Sequence, residues 1–336
     1  MKEMIEQFKK LSMDELCERL CEKKKTLIVY HVRPDADAVG SAFALRELLR
    51  VMDIPAICAC SDDIPDRLRF LCDGVQGSVV LEEGMELDHE RVISVDSASP
   101  AQLGDLYNKL HKYINLMIDH HGMGTVYADN YIYSGASATG EIIYAVAKRL
   151  VEMGRICEIP SRVINCVYAA ICSDTGCFRF ANARPETFRC AAELIERGAE
   201  YTEINHKLFE AKTVKQIKAE GEAARRLQLH LGGRVASVTF PYSSKFSLGL
   251  ADENLETIID IPRSVAGVEV SFSVRQPDDA PIFRVSMRSS TDFDVSRICA
   301  IFGGGGHMRA AGCTVEAANI REAEEKILTA IAHAME

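Results

Sequence analysis

The sequence has twelve cysteines in 336 residues but no Cys-x-x-Cys pair. The spacings Cys17/Cys21 and Cys58/Cys60 do not suit a zinc knuckle. A disulfide framework is not expected either. The cysteines are scattered, and Cys166 and Cys172 in "VINCVYAAICSD" lie among apolar neighbours. No run of about 18 uninterrupted apolar residues exists, so no transmembrane helix is expected. The opening "MKEMIEQFKKLSMDELCERLCEKKKT" is charged throughout and lacks the apolar centre of a signal peptide. It reads as an amphipathic surface helix, and a cytoplasmic location is expected. Positive charge is in deficit, with Lys+Arg 39 against Asp+Glu 49, giving a formal net charge of −10. Gripping long nucleic acid through its phosphates is thereby disfavoured. A short phosphorylated substrate stays open, because bound cations reverse the local field. Internal repeats and low-complexity segments are also lacking.

The 47% hydrophobic and 26% charged residues fit a soluble globular protein, and the length fits two domains. From residue 26 short apolar runs alternate with helical patterns. "TLIVYH", "PAICAC", "RVISVD" and "YINLMID" read as strands. "AVGSAFALRELLRVM", "ASATGEIIYAVAKRLVEM" and "SRVINCVYAAICSD" read as helices. The alternation predicts an α/β fold with a mostly parallel sheet and helices on both faces. After about residue 180 the pattern changes. "PETFRCAAELIERGAE" and "INHKLFEAKTVKQIKAEGEAARRLQL" read as helices bridging two domains. Beyond them "VEVSFSV" and "IFRVSMR" alternate apolar and polar residues around the turn "RQPDDAP", which predicts an antiparallel hairpin in a smaller α/β domain. The expected division is 1–190, a helical linker 191–229, and 230–336.

Three strand candidates end in ligand-type residues. The first gives His31, Asp35 and Asp37, the next Asp96, and "NLMIDHH" gives Asp119, His120 and His121. Asp174 ends a helix before Gly176. In an open parallel sheet, ligands bind beyond the carboxyl ends of the strands. Each residue alone has an ordinary explanation: Asp35 starting a turn, Asp37 capping a helix, Asp96 in a turn, Asp174 closing a helix. Together, four or five acids in one crevice repel unless cations neutralise them. Mixed carboxylate and imidazole donors suit manganese, magnesium, iron or zinc. Two divalent ions sharing a carboxylate would resolve the repulsion.

"FGGGGHMRAAGC" is the other conspicuous stretch. Successive glycines let backbone N–H groups form a concave nest for phosphate oxygens, though a turn is the ordinary alternative. No Lys-Ser/Thr follows, so it is not a Walker A loop. Arg288, on the polar side of its strand, is the best available fork for a phosphate.

"HVRPDADAVGS", "VDSAS", "IDHH", "SDTG" and "GGGGHMRAAG" stand in the order and spacing of DHH-family phosphoesterases with a DHH-associated C-terminal domain. The chain resembles that family's short two-domain oligoribonuclease and phosphoadenosine phosphate phosphatase branch over nearly its whole length. The resemblance implies one metal on His31, Asp35 and Asp96, and a second on Asp37, Asp96, His120 and Asp174. It implies manganese. Asp119 would orient the histidines, and His121 would face the scissile phosphate. Arg288, Ser289 and the loop Gly304, Gly305, Gly306 and His307 would hold the substrate's other end, in a cleft between domains. Three departures bear on substrate choice: Ala36 for a usual glycine, Gln102 near a usual arginine, and "HHGMG" after the double histidine. The implied substrates are short 5′-phosphorylated oligoribonucleotides and 3′-phosphoadenosine 5′-phosphate, with cyclic di-AMP or pApA as competitors. An inactive nucleotide-binding or sensor protein is the alternative from another class. Neither long nucleic acid nor a membrane is an expected partner, and a homodimer is the assembly considered.

Overall fold

The computed structural model describes residues 8–72, 78–80 and 88–335. It divides into two units, Met1–Ala211 and Lys212–Glu336.

The first unit is built on a six-stranded parallel sheet: β1 (Thr26–Val29), β2 (Ala56–Cys60), β3 (Ser78–Val80), β4 (Arg91–Val95), β5 (Ile114–Asp119) and β6 (Asn130–Ile132). Their order is β3-β2-β1-β4-β5-β6, so the chain reverses its winding direction between β1 and β4. Strands β1 and β4 are buried at every position because both faces are covered. Helices α1 (Met13–Leu20), α2 (Ala36–Val51), α4 (Thr139–Glu152) and α5 (Ser161–Asp174) pack with Ile28, Ile93 and Ile118 on one face. α3 (Asp105–Leu110) packs with Leu27, Val92 and Met117 on the other. Helices thus cover both faces, as the alternation implied. The charged opening yields only α1, with Ser12 in a capping box, and residues 1–7 of it lie outside those described. Strands β3 and β6 escape the sequence reading because three residues carry too little periodicity.

Two glycines set the helix layer. A Cβ on Gly40 would come 2.5 Å from the Cys166 carbonyl oxygen, and one on Gly140 would come 2.5 Å from Ala170 Cβ. Hydrogen side chains there let α2 and α4 approach α5 closely. Those three helix ends all reach the candidate site.

The helices expected across 191–229 divide between the units. α6 (Pro185–Glu196) and α7 (Tyr201–Asn205) belong to the first, and α8 (Val214–Arg225) to the second. The helix expected continuously over 204–229 is interrupted: a π-turn occupies His206–Glu210, and Thr213 caps α8 by accepting the Gln216 N–H at 3.2 Å. The Thr-x-x-Gln signal was present in the sequence but masked by helical flanks.

The second unit carries a six-stranded mixed sheet, ordered β11-β12-β10-β9-β8-β7. Its strands are β7 (Gln228–His230), β8 (Val235–Phe240), β9 (Val270–Arg275), β10 (Ile282–Ser289), β11 (Gly305–His307) and β12 (Ala310–Glu316). The expected hairpin is β9–β10, antiparallel, with Arg288 opposite Ser271. Phe283, Val285 and Met287 are buried with α11 (Val295–Ile301) and α12 (Ile320–Met335). Val238 and Phe240 pack with Leu255 and α8. Between β8 and β9 lie α9 (Tyr242–Ser247) and α10 (Asp260–Arg263).

Candidate metal centre

The residues following β1, β4 and β5 meet where the winding reverses. Asp35, not Asp37, is the N-cap of α2: its Oδ1 accepts the Asp37 and Ala38 N–H groups at 3.0 Å. Asp37, one step into the helix, is fully buried. Its oxygens accept the Thr139 N–H at 2.7 Å, the Gly140 N–H at 2.9 Å and the Ser41 hydroxyl at 2.8 Å. The N-terminal N–H groups of α4 have no partner within their own helix, so a carboxylate is favoured there. Asp96 holds a left-handed backbone conformation (φ 53°) directly after β4, a strain of about 1–3 kcal/mol that recurs at functional sites.

His31 Nδ1 donates to the Val32 carbonyl at 2.9 Å, and His120 Nδ1 points to the Ala136 carbonyl at 3.4 Å. Each ring therefore presents Nε2 inward. His31 Nε2 lies 3.6 Å from Asp96 Oδ2 and 3.8 Å from Asp35 Oδ1. His120 Nε2 lies 3.7 Å from Asp96 Oδ1, 3.9 Å from Asp37 Oδ2 and 3.3 Å from Asp174 Oδ2. The two oxygens of Asp96 thus face two different histidines. Three overlapping ligand groups result among the described residues, His31–Asp35–Asp96, Asp37–His120–Asp174 and Asp96–Asp119–His120–His121, each with its ligand atoms within 4.8 Å of one another. His121 Nδ1 donates to Asp119 Oδ1 at 2.7 Å, and the same oxygen accepts the His121 N–H at 3.1 Å.

The donor set fits divalent cations. His120 Nε2 and Asp119 Oδ2 are buried without a hydrogen-bond partner, which is costly unless something else is bound there. Burial, followed by the neighbouring carboxylates, pushes Asp37 and Asp174 well above the usual carboxylate range. Burial opposes charge on His31, but Asp35 and Asp96 outweigh it and raise the imidazole to about 11. Burial likewise opposes charge on His121, and Asp119 raises it to about 9.

Sequence reasoning missed the groups that hold the acids. Thr139 Oγ1 donates to Asp96 Oδ1 at 2.9 Å, while its N–H and that of Gly140 hold Asp37. "ATGE" was legible as a helix start, but nothing local linked it to an aspartate 102 residues earlier. Gln102 serves the backbone: its carbonyl accepts the Val32 N–H at 2.8 Å, and its side chain accepts the Ser99 N–H at 3.2 Å. With His31, Val32, Arg33 and Ala101 it lines a cavity of about 410 Å³. Ala36 is buried beside the cap, and Thr125 N–H pins the "HHGMG" loop to the Ala98 carbonyl at 2.8 Å.

In the second unit, Arg288 is half-buried, donates to the Met287 carbonyl at 2.9 Å, and is shifted below its ordinary pKa by burial. The Ser289 hydroxyl is turned inward, donating to the Thr291 carbonyl at 3.1 Å. The glycine run, expected as a concave loop, is an edge strand instead. Gly305, Gly306 and His307 pair with Gly312, Ala311 and Ala310. A Cβ on Gly304 would overlap the Gly312 carbonyl, so close strand approach explains the glycine. The His307 side chain lies outside the described residues.

Fold and pocket together define an α/β protein able to hold divalent cations at the carboxyl edge of a parallel sheet. Residues 25–171 match the DHH family, N-terminal domain, and residues 235–335 match the DHHA1 domain. The chain belongs to the DHH family of phosphoesterases. It is 28% identical over 308 residues to the bifunctional oligoribonuclease and PAP phosphatase NrnA of Thermus thermophilus, covering 90% of this chain and 88% of that one. The Bacillus subtilis protein of the same name is 27% identical, covering 86% and 89%. Among solved structures, an exopolyphosphatase-related protein from Bacteroides fragilis superposes with a TM-score of 0.86 at 21% identity, covering 96% of this chain and 97% of that one. That likeness shows the fold.

Proposed function

We propose that this protein hydrolyses short 5′-phosphorylated oligoribonucleotides and 3′-phosphoadenosine 5′-phosphate, using two divalent cations, manganese in the first place. The carrying observation is Asp96, whose two oxygens face the two histidine–carboxylate groups at 3.6 and 3.7 Å. His31, Asp35 and Asp96 would hold one cation; Asp37, Asp96, His120 and Asp174 the other. Cations held by these residues would supply an acidified water for attack on phosphorus and would neutralise charge on the phosphoryl oxygens.

The chain's own groups do the rest. The carbonyls of Val32 and Ala136 fix the imidazole tautomers and keep both Nε2 atoms turned inward. Ser41, Thr139 and Gly140 hold the buried acids in place when they are charged. Asp119 holds the His121 ring through Nδ1 at 2.7 Å, which leaves Nε2 free to meet a phosphoryl oxygen as charge develops there. The cavity beside His31 and Arg33 has room for the substrate's ester group. Arg288, Ser289 and the Gly304–His307 segment are the substrate contacts proposed for the second unit.

The substrate choice is supported by the named activity of the two relatives, which match over 86–90% of this chain. Cys17, Cys58, Cys166 and Cys172 are buried as free thiols, which fits a reducing cytoplasm. Among the described residues no helix is long and apolar enough to cross a membrane. A manganese-supplemented panel of pAp, pApA, cyclic di-AMP, RNA dimers to decamers and pyrophosphate tests the proposal. Turnover should favour pAp and the shortest RNAs. Preference for cyclic di-AMP would overturn the substrate assignment, and manganese-stimulated turnover that survives Asp96→Ala would overturn the shared ligand.

A further inference from the structure

The segment between β1 and α2 is pinned at three successive residues. The His31 carbonyl accepts the Cys60 thiol at 3.3 Å, the Val32 N–H donates to the Gln102 carbonyl at 2.8 Å, and the Arg33 N–H donates to Asp62 Oδ2 at 2.7 Å. These contacts hold Arg33 at φ 53°, directly before Pro34. Left-handed backbone is disfavoured for a long side chain, and the residue before a proline prefers extended backbone. Glycine would sit there without strain. The chain instead places an arginine there, two residues from His31.

Arg33 is exposed and lines the cavity of about 410 Å³ with His31, Val32, Ala101 and Gln102. Of those five residues it is the permanent cation. Gln102 is turned to the backbone, its side-chain oxygen accepting the Ser99 N–H. Asp62 holds the Arg33 backbone N–H. An arginine fork matches phosphate oxygens in pairs, and two residues of chain keep this one within about 7 Å of His31, Cα to Cα. We infer that Arg33 receives a second phosphate of the substrate, beside the one at the metal centre. The class this selects is nucleotides carrying two phosphates close together, over those carrying one. This deepens the phosphoesterase reading and rests on it for the position of the first phosphate.

The test compares pAp with 3′-AMP and 5′-AMP on the manganese-loaded full chain. The preference for pAp over the better AMP isomer is read as kcat/KM where the nucleotides are hydrolysed, and as calorimetric affinity where they are not. Wild type should prefer pAp. Arg33→Ala and Arg33→Gly should each lower that preference about 10–100-fold, the range of a lost hydrogen bond to a charged group. Arg33→Lys keeps the charge without the fork and should retain part of it. Arg33→Gly also relieves the left-handed backbone, so it should melt no lower than wild type. An unchanged preference in the alanine and glycine variants overturns the inference, and so does an equal loss of pAp and AMP, which marks a displaced loop. A wild type indifferent to the second phosphate overturns it as well. A preference that falls in the variants while no phosphoester is hydrolysed leaves the arginine subsite standing and sinks the enzymatic reading. Hydrolysis with an unchanged preference does the reverse.

Discussion

Asp174 and Asp37 show how function and stability pull against each other at single residues. Burial and three neighbouring aspartates hold the Asp174 carboxyl well above its ordinary range. Replacing it by asparagine removes that conflict, so Asp174→Asn should stabilise the cation-free protein by about 1–2 kcal/mol. The same change should weaken cation binding and abolish turnover; thermal melts with and without manganese read both effects. Opposite signs of this kind mark a ligand rather than a structural acid. Thr139 is different, because it supports Asp96 and Asp37 without being a ligand of the proposed cations. Thr139→Val keeps the backbone N–H but strands an acceptor, and cation affinity should fall roughly 10–100-fold, as measured by titration.

At the scale of elements, the close approach of α4 to α5 decides whether the pocket exists. Gly140→Ala would place its Cβ 2.5 Å from Ala170 Cβ. The overpacking should cost about 1–3 kcal/mol in urea unfolding and reduce turnover, since the shifted helix end carries the N–H groups that hold Asp37. Elements with a strong period were legible: α2, α5 and the β9–β10 hairpin follow directly from their patterns. Elements set by pairing were not. The glycine run becomes β11 only because Gly312 and Ala311 lie opposite, and β8 is inserted parallel to β9 by a pairing no local pattern announces. The helix over 204–229 broke at Thr213 because a cap outcompeted continuation.

For the molecule as a whole, the metal-free state should lose stability as pH rises from 6 to 9. His31 is raised to about 11 and His121 to about 9, so their stabilisation is complete below the unfolded value of 6.5 and fades as pH climbs through the folded values. Asp37 and Asp174, raised by burial and their carboxylate neighbours, act in the same direction: the folded state binds protons that the unfolded chain has released. Cation binding requires those protons to leave, so manganese affinity should increase over the same range, and calorimetry in buffers of different ionisation enthalpy should report proton release. A melting temperature that rises with pH in chelator would contradict this account. The sequence alone determined the class of the fold and which acids and histidines gather, because both depend on residue type and period along the chain. Tertiary structure decided that Asp35 caps while Asp37 is buried, that Thr139 holds two aspartates from far along the chain, and that the glycine run is a strand. Those depend on what lies opposite each group in space, and a one-dimensional pattern carries no record of that.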